Sequence, residues 1–323
     1  MNIAVLGTGA MGCLFGSYLS RRNDVVLIGH NKEKQEKLDR SGIVIREQDG
    51  SECRYFPHAV SDCSGLPVMD LVLVFVRVMD TCEALEANRS LIGPDTFLLT
   101  LQNGAGHEER LLQYADKEHV VIGSTKHGSC VLEPGKIFHS GAGETSIGLL
   151  SGEAGISRIA EELSCCGFPC EVSGSIQKQI WDKLFVNTAA SSLTAVLQVP
   201  LGFIYEDINA HALMENLVRE AVTVANAEDI GVFEERDVRE AVEHVIRNGK
   251  EGIPSICTHL KTGQKTEVDY ISGYVIRRAK AHGIAVPYHE AVVAMIHAME
   301  NRNCQDGNFI KDKKDETACM PGR

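Results

Sequence analysis

The sequence predicts an α/β protein: an N-terminal domain built on a parallel sheet over residues 1–174, an all-α domain over 175–305, and a loose tail over 306–323. Three observations carry this reading. A strand, a glycine-rich turn, a helix and a second strand follow one another within about thirty residues of the start. Nearly continuous apolar runs recur through the first half, as strands covered on both faces require. From about Ser175 the apolar positions switch to the 3.6-residue spacing of helices.

Taken in order, Met1 to Leu6 is a short apolar strand, "GTGAMG" occupies 7–12, "CLFGSYLSRR" has helical periodicity and "DVVLIG" is the next strand. In this frame the glycines have separate tasks. Gly7 permits the tight turn, Gly9 lets a pyrophosphate approach the backbone, and Gly12 lets the helix pack close to the strand, while the helix N-terminus stabilises the phosphates. The pattern is that of a Rossmann-type dinucleotide site, with Gly7, Thr8, Gly9, Ala10, Met11 and Gly12 as cofactor-binding residues. The second strand ends in Ile28, Gly29, His30, Asn31 and Lys32, with no acid before Glu33 to take the ribose hydroxyls. His30, Lys32 and Lys34 are placed to face a 2′-phosphate, so NADP is expected over NAD; the same residues also suit an ordinary solvated loop.

Further strands are expected in "MDLVLVFV" (69–76), "TFLLTL" (96–101) and "HVVIGS" (119–124), with "KIFHSG" and "ETSIGLL" as additional strands closing the domain. Ligands of such sheets bind outside the carboxyl ends of the strands. One run ends in Arg77, whose guanidinium could grip phosphate or carboxylate or pair with Asp80 or Glu83. Another ends in "QNGAG", which puts Asn103 on a tight turn; Asn-Gly serves there as a turn signal or as a ligand. A third leads into "TKHGS", 125–129.

The second half reads as helices, among them "IQKQIWDKLFVNTAASSLTAV", a segment over 209–227 and another over 267–281, punctuated by "PLG" at 200–202 and "GIPS" at 252–255. A cleft between the two domains is the expected small-molecule site. "WDKLFVNTAASSLTAV" places Lys183, Asn187 and Ser191 at steps of four, along one side of a helix whose other positions are largely apolar. A solvated stripe has that spacing, and so does a row of substrate-binding groups.

Composition excludes several classes. With 44% hydrophobic and 24% charged residues the chain is an ordinary globular one. Its net charge of −12 argues against a nucleic-acid partner. No apolar run reaches the length of a membrane span, and "MNIAVLGTGAMG" has no basic segment to read as a signal peptide. Eleven scattered cysteines without a paired CxxC predict reduced, mostly packed thiols in a cytoplasmic protein and no metal site. The histidines, His107 and His127 among them, show no ligand spacing. A homodimer is compatible with these features.

"GTGAMG", "QNGAG", "WDKLFVN" and above all "GQKTEVDYISGYVIRRAKAHGIAVP" (263–287) resemble the ketopantoate reductase family over residues 1–300. The resemblance implies NADPH-dependent reduction of ketopantoate to pantoate, on the way to pantothenate and coenzyme A. It also implies a Rossmann domain followed by a helical domain similar to that of 6-phosphogluconate dehydrogenases. It puts Lys183 on the catalytic general acid and Asn103 on an asparagine that contacts cofactor and substrate. Asn187 and Ser255 fall on substrate-binding positions, Glu267 on the acidic residue near the nicotinamide and the substrate hydroxyl, and Ser129 on a position that touches the cofactor through its backbone. Glu267 is expected on the first turn of a helix, where an acid is also favoured by the helix dipole. On this reading Lys183 protonates the oxygen that hydride transfer charges, and Asn187 and Ser191, one and two turns on, hydrogen-bond the substrate. Four positions depart from the family: Arg77 replaces a lysine, Ser191 and Leu201 replace asparagines, and His259 replaces an aspartate. They leave fold and cofactor unchanged and open two alternatives, a reductase of a different 2-keto acid and a nucleotide-binding regulatory relative without turnover.

Overall fold

A computed structural model describes residues 1–305, so the expected tail at 306–323 lies outside the described residues. The described chain divides into two compact units, one comprising Met1–Gln102 and His107–Ile176, the other Asn103–Gly106 and residues 177–305.

The first unit carries twelve strands: β1 (Asn2–Leu6), β2 (Asp24–Ile28), β3 (Ile43–Arg46), β4 (Glu52–Tyr55), β5 (His58–Val60), β6 (Leu71–Val74), β7 (Phe97–Thr100), β8 (Val120–Thr125), β9 (Gly128–Glu133), β10 (Lys136–Gly141), β11 (Thr145–Leu149) and β12 (Cys170–Val172). The main sheet runs β12-β11-β8-β7-β6-β1-β2-β5. From β5 to β8 every pairing is parallel, and β11 is antiparallel to β8. Chain order reverses between β1 and β6, which makes the carboxyl ends of those two strands the crevice where such sheets bind ligands. The central strands, NIAVL, DVVLI and LVLV, are buried nearly throughout, which is why they read as unbroken apolar runs.

A second sheet, β4-β3-β10-β9, was not anticipated as a separate layer. The "KIFHSG" segment joins it as β10, parallel to β3 and antiparallel to β9. Helix α1 (Ala10–Leu19) buries Cys13 through Leu19, and Phe15 stacks on Phe168 at 3.8 Å between ring centroids. Helix α2 (Lys32–Ser41) starts on Asn31, whose side chain accepts a hydrogen bond from the Lys34 amide at 3.0 Å.

The second unit is helical. Trp181, Leu184, Phe185, Met214, Leu217, Val218, Val242, Val275 and Ile296 belong to one core. The helix beginning at Ile176 departs from the expected regular α-helix. Ile176–Val186 is α-helical, Asn187–Ser191 forms a π-turn, and Ser192–Leu197 resumes the α-helix. The Ser192 amide bonds the Asn187 carbonyl, five residues back. The expected helix over 267–281 is also interrupted: Val268–Tyr270 is a 3-10 turn and the α-helix is Ser272–Ala281.

Candidate active site

In the first unit the turn after β1 has the geometry its glycines predict. Gly7 has φ +105°, and a Cβ there would lie 2.7 Å from the Val76 nitrogen and 2.8 Å from the Phe75 carbonyl. At Gly12 a Cβ would lie 1.9 Å from the Gly7 oxygen. Gly9 differs: no protein atom lies within 4 Å of a Cβ built there, and its backbone is extended at φ −73°, ψ −171°. Internal packing therefore requires Gly7 and Gly12 but not Gly9. What glycine supplies at position 9 is a bare backbone at the N-cap of a ten-residue helix, which fits an anion that must come close to the helix N-terminus. No acidic residue occupies the first turn of α1.

The surrounding side chains fix this turn. Thr8 is buried, and its hydroxyl accepts a hydrogen bond from the buried Gln35 amide at 3.1 Å. Ser129 on β9 donates to the Met11 sulfur at 3.1 Å, which brings that predicted residue against the glycine turn. Gln102, just past β7, donates to the Val76 carbonyl at 2.7 Å and ties the ends of β6 and β7 together. Its position after an apolar strand was visible in the sequence, but a lone glutamine gave no reason to select it. Arg77 is exposed and pairs with Asp80 at 3.0 Å, one of the two partners expected. An exposed pair of this kind contributes at most about 1 kcal/mol. At the end of β2, His30 and Lys32 are exposed, Lys34 is half-buried, and the first acid is the exposed Glu33.

In the second unit Lys183 lies on the Ile176–Val186 helix, whose Trp181, Leu184 and Phe185 belong to the core. Part of the residue retains accessible surface, yet burial of the ammonium pushes its pKa below the ordinary lysine value, and the Glu267 carboxylate opposes that push. The structure thus brings Lys183 and Glu267 into electrostatic contact across 84 positions of sequence. Glu267 stands ahead of the 3-10 turn, at φ −93°, ψ 20°, and its side chain caps nothing. It is not on the first turn of an α-helix, so a helix dipole does not account for it. The Asn103 loop joins the same place: Asn103–Gly106 belongs to the helical unit, and the Ala105 amide donates to the Tyr270 carbonyl at 3.0 Å. Gly104, at φ +94°, permits this, because a Cβ there would lie 2.3 Å from the Tyr270 oxygen.

The π-turn changes the expected row of polar groups. A π-turn is wider than an α-turn and advances less per residue, so it offsets the drift that residues at steps of four show in an α-helix. Asn187 is half-buried and Ser191 is buried. Ser192 holds the turn: its hydroxyl donates to the Asn187 carbonyl at 3.1 Å and lies 3.1 Å from the Ser272 hydroxyl. A hydroxyl has one proton, so Ser272 is the donor in that pair. Ser255 is exposed at the start of the Ser255–Lys261 helix, and His259 follows one turn later. The turn that leads to Ser255 is tied to a third departing position, since the Leu201 amide donates to the Gly252 carbonyl at 3.0 Å.

One buried cluster in the first unit was not expected from the histidine spacing. Tyr18 donates to Glu47, whose carboxylate bonds His139 at 2.8 Å, and His139 bonds His127 at 3.0 Å. Burial and the Glu47 carboxylate raise the Tyr18 pKa, and burial, with His139 adding to it, lowers that of His127. Among the described residues, no group of three His, Cys, Asp or Glu is arranged to hold a metal ion, and no helix is long and apolar enough to cross a membrane.

Comparison with known proteins decides the family. The sequence pattern of "Ketopantoate reductase PanE/ApbA" matches residues 3–152, and that of "Ketopantoate reductase PanE/ApbA C terminal" matches 175–300. The chain belongs to the ketopantoate reductase family. A relative from Halobacterium salinarum named 2-dehydropantoate 2-reductase is 34% identical over 291 residues, covering 89% of this chain and 95% of its own. Among solved structures, D-mandelate dehydrogenase with NADH and anilino(oxo)acetate superposes with a TM-score of 0.87 at 29% identity, covering 94% of this chain and 99% of its own. A PanE/ApbA family ketopantoate reductase from Ralstonia eutropha gives 0.86 at 27% identity, covering 94% and 100%.

Proposed function

We propose that this chain is an NADPH-dependent 2-dehydropantoate 2-reductase, acting on a small 2-keto acid in the cytoplasm. The observation that carries the proposal is the buried Lys183 ammonium opposed by Glu267, in a chain of the ketopantoate reductase family. NADPH, when bound, supplies the hydride. Gly7, Thr8, Gly9, Ala10, Met11 and Gly12 would hold its pyrophosphate, with Ser129 and Arg77 beside them. The preference for the phosphorylated cofactor rests on the end of β2, where His30, Lys32 and Lys34 stand and no acid competes for the 2′ position.

Hydride arriving at a keto carbon leaves negative charge on its oxygen. Lys183 is the donor: as a cation it stabilises that charge, and as an acid it delivers the proton, a contribution of about a hundred- to ten-thousandfold in rate. A lysine at its ordinary pKa would hold the proton too tightly to release it readily near neutral pH. Burial lowers that value, and the Glu267 carboxylate favours the ammonium form against it. Asn103, Asn187, Ser191 and Ser255 would orient the carboxylate and hydroxyl of the substrate. Glu267 would accept from the substrate hydroxyl.

A second reading keeps the chemistry and changes the substrate. Ser191, Leu201 and His259 replace two amides and a carboxylate of the family pattern, and a structural neighbour, D-mandelate dehydrogenase, carries anilino(oxo)acetate, an N-aryl oxamate with the 2-oxo carboxylate shape. One experiment tests both readings. NADPH oxidation is followed with ketopantoate and with bulkier and aromatic 2-keto acids, with NADH in parallel, in the parent and in Lys183→Ala. Ketopantoate turnover selective for NADPH, lost by about a hundredfold or more in Lys183→Ala with NADPH binding retained, supports the first reading. Preference for another keto acid supports the second. Near-parental turnover in Lys183→Ala overturns the mechanism. NADPH binding with no keto acid reduced would favour a regulatory relative.

A further inference from the structure

The Pro287–Gln305 helix clamps the stretch of chain that leads to Glu267. Three of its residues, spaced by three and therefore near one face, each bond that stretch. Asn303 donates to the Leu260 carbonyl at 2.8 Å. Glu300 accepts from both the Thr266 amide and the Thr266 hydroxyl, each at 2.7 Å. His297 meets Asp269 at 3.1 Å. The outer His297–Asp269 contact is half-exposed, with side chains 40% and 41% accessible, whereas Glu300 is 6% exposed and Thr266 1%.

A buried carboxyl group is costly unless it is bonded, and Glu300 spends one oxygen entirely on Thr266. The Thr266 hydroxyl then accepts from the Val268 amide at 3.3 Å. The residues on both sides of Glu267 are thus tied into a network that ends on Glu300, while the Glu267 side chain takes no part in capping the turn. A solvated face would need none of this: it would expose its carboxylates and leave Thr266 to water.

We propose that Glu300 is a positioning residue, which anchors Thr266 and so aims the Glu267 carboxylate at Lys183. The proposal rests on the reading of Lys183 as the proton donor and Glu267 as its partner. Glu300 touches neither Lys183 nor the substrate in this scheme; it acts through two hydrogen bonds and one turn. Charge is not its means, so an uncharged acceptor of the same shape should serve.

The test is the pH dependence of kcat with NADPH and the preferred keto acid. Lys183 acts in its protonated form, so activity falls on the alkaline side. Glu267 favours the protonated form, so a misaimed Glu267 moves that alkaline limb to lower pH. Thr266→Val keeps the shape and loses both hydroxyl bonds, and Glu300→Met removes the acceptor at similar length. In both, the limb should move down and kcat at alkaline pH should fall about tenfold, with KM for NADPH changed less than about twofold. Thr266→Ser and Glu300→Gln preserve the bonds and should keep the parental profile. A lower melting temperature with an unmoved limb in either apolar variant would mean a structural role only and would overturn the proposal. A limb shifted as far in Glu300→Gln would show that the charge acts directly, which also overturns it. Glu267→Gln separates the two levels. If its limb is unmoved, the Lys183–Glu267 reading falls and the clamp with it; if its limb moves while that of Thr266→Val does not, the clamp alone falls.

Discussion

Gly9 and Gly12 lie three residues apart in one turn, and alanine should do opposite things at the two positions. At Gly12 the new Cβ would sit 1.9 Å from the Gly7 oxygen. Cβ contacts below 3.0 Å are essentially never seen, so helix α1 and the end of β1 would have to separate by about 1.1 Å, the difference of those two distances. Forced repacking of that kind costs about 3 kcal/mol, or roughly 6–12 °C in melting temperature for a unit of this size. At Gly9 the Cβ meets nothing within 4 Å and the backbone, at φ −73°, suits alanine. Folding should change by less than about 1 kcal/mol, the scale of an N-cap effect. The cost should appear in binding instead, because the methyl group projects where a pyrophosphate must approach. Losing one charge-assisted bond to a backbone amide costs about 1.5–3 kcal/mol, which weakens NADPH roughly 10- to 150-fold. Thermal melts without cofactor and fluorescence titration with NADPH measure the two quantities separately. A Gly9→Ala protein that binds NADPH as tightly as the parent would refute the assignment of this turn to the cofactor.

Two further outcomes follow from the hydrogen bonding. His127 is held neutral in the folded protein by burial and by His139, so the unfolded chain takes up a proton near pH 6.5 that the folded chain refuses. Stability should therefore fall as pH drops below about 6.5, and His127→Gln should flatten the slope of urea midpoint against pH between 5 and 8; a parental slope in the variant would count against the assignment. Ser192→Ala removes the bonds that hold the π-turn to itself and to Ser272, which should cost about 1–2 kcal/mol and raise KM for the keto acid more than KM for NADPH, an order that steady-state kinetics would detect if reversed.

The first unit was readable because its decisive signals are local. Gly7, Gly9 and Gly12 stand in a strand–turn–helix frame, and β1, β2, β6, β7 and β8 are buried on both faces, so spacing and composition identify them without tertiary knowledge. The second sheet was harder. Strand β4 reads ECRY and is largely exposed, and β9 reads GSCVLE with intermediate burial up to the exposed Glu133, so neither shows a clean apolar run or alternation. The π-turn left no trace in the periodicity, because NTAAS is a string of small residues that suits either turn. It is fixed by Ser272, 80 positions away. Glu300 was invisible for the same reason: one glutamate on a mixed helix looks solvated until Thr266, 34 residues upstream, is found against it.

These long-range ties explain why a lysine can sit in an apolar helix. Burial pushes the Lys183 ammonium toward its neutral form, and Glu267 opposes that push. Glu267 stands ahead of a short 3-10 turn that its side chain does not cap. The Glu300–Thr266 bonds hold the chain beside it, and Ser192, paired with Ser272, holds the Asn187 carbonyl. Two of the proposed site positions, Glu267 and Asn187, thus lie in chain segments held by buried polar groups outside the proposed chemistry. The departures Ser191, Leu201 and His259 spare those supports: Glu267, Thr266, Glu300, Ser192 and Ser272 are all present. The three buried hydroxyls of Thr266, Ser192 and Ser272 and the buried Glu300 carboxyl are all bonded, and each would cost stability if it were left unpaired. The supports argue for a working proton donor, and the departures argue that whatever has changed lies in how the rest of the keto acid is held.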